Sequence, residues 1–142
     1  MRVRDILHGR TLYWVEESQT VSEVARHMAE RHVGAIVVLH GGQLRGVFSE
    51  RDLMTRVVLN SLNPSTTPVR EVMTPGVSLA TVDESATLEE AMESMQAHNC
   101  RHLPVTHGSQ VCGFLSMRDL MNVELDRKTE ELHHMRAYIH GQ

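Results

Sequence analysis

The sequence predicts an α+β fold: two β-α-β-β-α units packed as one pseudo-twofold module, followed by a C-terminal helix. Three observations predict it. The chain repeats itself, each copy switches its hydrophobic period in the same order, and a proline-containing polar stretch separates the copies. When Asp119 is laid on Asp52, Leu79 falls on Leu12, Val82 on Val15, Thr87 on Thr20, Glu90 on Glu23 and Met95 on Met28. The match is densest further on, where His107-Gly108 falls on His40-Gly41, and Ser116, Arg118, Asp119, Leu120 and Met121 fall on Ser49, Arg51, Asp52, Leu53 and Met54.

In the first copy Leu12 to Val15 is a short apolar run that reads as a strand. Val21, Val24, Ala25, Met28 and Ala29 then recur at helical spacing, with Thr20 and Glu23 placed as a capping box, and the helix is expected to end near His32. Ala35 to Leu39 is a continuous β-prone run, His40-Gly41-Gly42 is a turn, and Leu44 to Phe48 completes a hairpin before Ser49 opens the second helix. The second copy repeats this with Thr87 and Glu90 as the cap, Leu88, Ala91, Met92 and Met95 as the buried stripe, and strands at His102 to Thr106 and Gln110 to Leu115. The segment from Asn60 to Pro68 has linker composition. The expected division is residues 1–60, a linker over 61–68, a second unit over 69–125, and a helical tail over 126–142. The helix from Met117 onward carries Leu120, Val123, Leu132, Met135 and Ile139 as its apolar positions. Two readings of it stand: a cover for the second unit, or a dimer contact.

Composition bounds the function. At 142 residues and 41% hydrophobic content, the chain supports one compact core or two small units sharing one. A net charge of −4, from 14 basic and 18 acidic residues, offers no electrostatic footprint for nucleic acid or an anionic membrane. Cys100 and Cys112 make no disulfide framework and no zinc-type pair, so a reducing cytoplasm is the expected location. Arg2, Arg4, Asp5, Arg10, Glu16 and Glu17 leave no signal-peptide core near the start.

The most informative element is the passage from third strand to second helix, Gly46-Val-Phe-Ser49-Glu-Arg51-Asp52, repeated as Gly113-Phe-Leu-Ser116-Met-Arg118-Asp119. On structural grounds alone, Ser49 and Ser116 are helix N-caps, and Asp52 and Asp119 return the reciprocal bond. That leaves the glycines unexplained, because a strand interior disfavours glycine unless something approaches the backbone closely. A ligand supplies such an approach: phosphate against the helix N-terminus, with a carboxylate one turn on accepting the two hydroxyls of a ribose.

With these segments, the openings VRDIL (Val3–Leu7) and VREVM (Val69–Met73), and RHLPV (Arg101–Val105), the chain resembles a tandem pair of cystathionine-β-synthase (CBS) domains over nearly its whole length. The resemblance implies a module that binds adenosine nucleotides in two clefts between paired sheets. Ser49 and Asp52 would serve one cleft, Ser116 and Asp119 the other. It also implies a phosphate clamp at Arg101 and His102, whose counterparts in the first copy are Gly34 and Ala35, so the two clefts should differ in affinity. Arg51 and Arg118 are either phosphate contacts or members of surface ion pairs. The expected ligand is AMP, ADP or ATP. NADH and S-adenosylmethionine share the adenosine ribose and remain open, as does a ligand-free interaction module. A homodimer and a separate regulated protein are the expected partners.

An enzyme is the rival class. Ten histidines invite a metal or a general base, but there is no HExxH, no paired Cys/His spacing, no GxSxG and no Walker lysine loop. No catalytic cofactor is expected. Cys100 beside Arg101 admits two readings, a redox thiol of lowered pKa or a small core residue.

Overall fold

The elements follow from local chemistry. In the computed structural model, which describes residues 1–140, helix α1 (Val3–Leu7) precedes strand β1 (Trp14–Glu16). Helix α2 (Val21–Arg31) starts where the Thr20 hydroxyl accepts the Glu23 amide at 3.2 Å, and it ends at His32 in the left-handed conformation. Strands β2 (Ala35–His40) and β3 (Gln43–Ser49) form an antiparallel hairpin whose Gly41 and Gly42 both take positive φ, as a tight primed turn demands. Ser49 caps α3 (Glu50–Asp52), which continues as π-helical turns over Leu53–Val58.

The second copy contains β4 (Thr74–Pro75), β5 (Val82–Asp83), α4 (Leu88–His98), β6 (His102–His107), β7 (Gln110–Ser116) and the long α5 (Met117–Ile139). The mixed α+β architecture with two homologous units is as expected, and the hairpins match to within a residue or two. Three details differ. The first strand sits at Trp14–Glu16 rather than Leu12–Val15. The expected capping box at Thr20 is only half formed, because the Glu23 carboxylate instead lies 3.5 Å from the Gln19 side-chain amide. The first-copy helix after Ser49 departs from α geometry where its counterpart α5 does not.

Two sheets result: β1-β2-β3-β4, with β1 parallel to β2 and the rest antiparallel, and β5-β6-β7, with β5 parallel to β6. On β2, Ile36 and Val38 join the core beneath α2, while Ala35, Val37 and Leu39 on the opposite face are buried as well. Both faces of this sheet are therefore covered, and β3 lies against β7 of the other sheet.

The opening segments are exchanged. Val3 and Ile6 of α1 belong to the second core, with Leu88, Met95, Leu103, Leu115 and Leu120. Val69 and Val72, which open the second copy, belong to the first core, with Val21, Met28, Ile36 and Phe48. Matching backbone bonds hold the crossings, since the Val3 amide donates to the Ala86 carbonyl at 2.8 Å and the Val69 amide donates to the Gln19 carbonyl at 2.8 Å. The second crossing also contributes β4 to the first copy's sheet.

Helix α5 covers the second unit only at its start. Leu120 is buried, Val123 packs on the second core, and Arg127 reaches Glu89 of α4 at 3.3 Å. Beyond that point Leu132 (54%), Met135 (58%) and Ile139 (71%) remain exposed. The last two residues of the expected tail lie outside the described residues.

The exchange makes a local prediction. Val3 is fully buried, so Val3→Ala should lower the unfolding free energy by about 2 kcal/mol. Native-state hydrogen exchange should then accelerate in β6 and β7 before β2 and β3. Faster exchange centred on the first sheet would contradict the crossing.

Candidate functional site

Both strand-to-helix corners are built alike. In β2–β3 the pairing sets Ala35 opposite Ser49, and in β6–β7 it sets His102 opposite Ser116. The first helical amide at each corner is taken by the neighbouring strand's approach, Glu50 donating to the Gly34 carbonyl at 2.9 Å and Met117 to the Arg101 carbonyl at 2.8 Å. The third is taken by the serine hydroxyl, from Asp52 at 3.2 Å and from Asp119 at 3.1 Å. Each aspartate returns the bond through Oδ2, which accepts the Ser49 amide at 3.0 Å or the Ser116 amide at 2.9 Å. The capping role of Ser49/Asp52 and Ser116/Asp119 is thus fully realised in both copies. What faces a further partner is the other carboxylate oxygen, Oδ1.

The two Oδ1 atoms meet different arginines. Arg56, one turn further along the same helix, stands 3.6 Å from Asp52 Oδ1 and also donates to the Met73 carbonyl at 2.8 Å. Asp119 Oδ1 instead receives Arg10 Nη1 at 2.7 Å, from the segment between α1 and β1. Burial acts to raise the Asp119 pKa, but the Ser116 amide and the Arg10 guanidinium outweigh it, and the carboxyl is held below its ordinary value. Asp52 is buried, whereas Asp119 is more open.

Each corner is therefore completed by an exchanged opening segment. This accounts for the glycines in a way the sequence does not disclose. A side chain at Gly46 would collide with the Thr74 carbonyl and the Met73 sulfur, and one at Gly113 would meet Leu7 Cδ1 at 2.5 Å. The close approach inferred for a ligand is made here by the chain itself.

The basic residues divide. Arg101 is exposed and His102 half-buried, both at the mouth of the Ser116–Asp119 corner. His102 stacks on Phe114 with ring centroids 5.1 Å apart. Burial holds its pKa below the ordinary imidazole value, with Asp119 opposing the shift and Arg101 adding to it. At the equivalent place in the first corner there is no cation. The Glu50 carboxylate lies 3.5 Å from where a Gly34 side chain would begin. Arg51 and Arg118 are exposed, and neither forms a surface ion pair among the described residues. Burial pushes the Cys100 thiol up, against the redox reading. Among the described residues no group of three or more His, Cys, Asp or Glu is placed to hold a metal ion, and no helix is long and apolar enough to cross a membrane.

The sequence singles out the Ser/Asp corners and the Arg101–His102 pair as candidates. It does not single out Arg10 or Arg56, which the structure places against Asp119 and Asp52. The i,i+4 spacing of Asp52 and Arg56 was an available signal. Arg10 had none, because it lies in an unpatterned segment far from Asp119 in the sequence.

With this geometry in view, the CBS domain family model matches the chain twice, over residues 3–59 and 69–126. The chain belongs to the CBS domain family. It carries a tandem CBS pair. Among its relatives is the mitochondrial CBS domain-containing protein CBSX3 of Arabidopsis thaliana, 30% identical over 131 residues; the match takes in 90% of this chain and 64% of that protein. Among solved structures, a protein with CBS domains from Burkholderia ambifaria MC40-6 superposes with a TM-score of 0.81 at 34% identity, covering 89% of this chain and 95% of the other. A CBS domain protein from Pyrobaculum aerophilum, complexed with AMP, has a TM-score of 0.75 at 29% identity, covering 84% of this chain and 89% of its own.

A pH dependence follows from His102. Because its folded pKa is lowered from 6.5, the unfolded chain binds the proton more readily. Its contribution to stability is complete above about 6.5 and declines as the pH falls from there through the folded pKa. Urea denaturation between pH 7.5 and 5 should show stability falling with pH, and His102→Gln should flatten that slope. An identical slope in the variant would contradict the burial assigned to the ring.

Proposed function

We propose that this chain is a non-catalytic regulatory sensor that binds an adenosine nucleotide of the AMP, ADP or ATP class at the clefts between its two CBS repeats. Its signal passes through conformation or oligomeric state to a separate protein. The observation that carries this reading is the convergence at the second corner: a carboxylate kept ionised at Asp119 for a ribose diol, with Arg101 and His102 beside it for phosphate. The AMP complex of the Pyrobaculum relative supports the ligand class.

The clefts are unequal in this account. The first offers Ser49 and Asp52 but sets Glu50 near Gly34, where the second offers Arg101. An anionic ligand therefore favours the second cleft. NADH and S-adenosylmethionine present the same ribose and belong in the test panel. The exposed Leu132, Met135 and Ile139 of α5 are the proposed contact of a homodimer.

Isothermal titration with AMP, ADP, ATP, NADH and S-adenosylmethionine tests the reading and names the ligand. Asp119→Ala should weaken nucleotide binding by about 2 kcal/mol, the scale of a lost charge-assisted hydrogen bond. Arg101→Ala should weaken AMP binding while leaving adenosine binding nearly unchanged. Equal losses for both ligands would remove the phosphate role, and no binding of any panel member by the unaltered protein would remove the sensor reading.

A further inference from the structure

We propose that Arg10 is a latch on the second cleft that exchanges partners when ligand binds, holding Asp119 in the free protein and moving to the phosphate of a bound nucleotide. The inference rests on the nucleotide reading above and adds a residue that sets specificity for phosphorylated ligands.

Asp119 has two oxygens and two existing commitments. Oδ2 accepts the Ser116 amide at 2.9 Å, and Oδ1 accepts Arg10 Nη1 at 2.7 Å. Each carboxylate oxygen keeps a second lone pair, so a vicinal diol donating to this carboxylate must share Oδ1 with a guanidinium already seated 2.7 Å from it. An incoming ribose therefore crowds Arg10 at one atom.

Arg10 is placed to yield. Its side chain is 47% exposed, its amide bonds back only as far as the Leu7 carbonyl at 3.0 Å, and the preceding Gly9 takes φ 77° with open space around it. The first corner differs in tethering rather than in exposure. The Arg56 side chain is 45% exposed, but its guanidinium is held by both Asp52 and the Met73 carbonyl, and it stands on the same helix as the aspartate it faces. The latch thus belongs to the second cleft alone.

The charge balance gives the latch its selectivity. A nucleoside must displace the guanidinium from Asp119 and offers no anion in return. A nucleotide offers a phosphate, which an arginine binds with two parallel hydrogen bonds. The cation lost by the carboxylate is thereby gained by the ligand, beside Arg101.

Calorimetric titration of AMP and adenosine into the unaltered protein, Arg10→Ala and Arg10→Lys tests this. Arg10→Ala should bind adenosine roughly threefold more tightly, the scale of a partly exposed ion pair removed. It should bind AMP more weakly, lowering the AMP-to-adenosine preference by about tenfold. Arg10→Lys should retain most of that preference. An unchanged preference in Arg10→Ala, or weaker adenosine binding, overturns the latch while leaving the nucleotide reading intact. If none of the three proteins binds either ligand, the nucleotide reading fails and the latch fails with it.

Discussion

The exchange of opening segments is the constraint on which the rest of the structure depends. Val3 and Ile6 complete the core beneath the second sheet, and Val69 and Val72 complete the core beneath the first. Each of the two cores is completed by the opening segment of the other copy, so the cores are distinct but interdependent. The apolar contacts that make the fold stable are the same contacts that make it a single module.

The exchange also builds the corners. Once α1 is seated on the second sheet, Leu7 lies over Gly113 and the chain leaving it brings Arg10 to Asp119. Once Val69 and Val72 are seated on the first sheet, Met73 and Thr74 lie over Gly46, and Arg56 finds the Met73 carbonyl. Each corner thus has one wall from a Ser/Asp helix start and one from a segment remote in sequence. A ligand that touches both walls bridges the two units, and such a ligand shifts conformation to the extent that its affinity differs between two arrangements of those walls.

Much of the fold was legible from local chemistry. The two hairpins, the Ser49 and Ser116 caps, and the α2 and α4 stripes rest on turn residues, capping pairs and hydrophobic period, all of which act within a few residues. The exchange was not legible, because an internal repeat reports that VRDIL and VREVM are equivalent without reporting which core each one enters. The glycines show the same limit. Gly46 and Gly113 signalled a close approach correctly, but a missing side chain does not say what fills the space, and at both sites the neighbour is protein. The π-helical turns after Asp52 also escaped, since Leu53-Met54 and Leu120-Met121 are identical locally and tertiary surroundings decide the geometry.

The central claim is that the second cleft is made from both ends of the chain and receives an adenosine nucleotide. Backbone amide NMR shifts recorded during a titration with AMP test it most directly. The account predicts saturable changes at Arg101, His102, Ser116 and Asp119, together with changes in the Leu7–Arg10 segment that saturate at the same AMP concentration. Changes confined to the 101–119 region, with Leu7–Arg10 unmoved, would contradict the two-walled cleft, and the absence of any saturable change would contradict the nucleotide site.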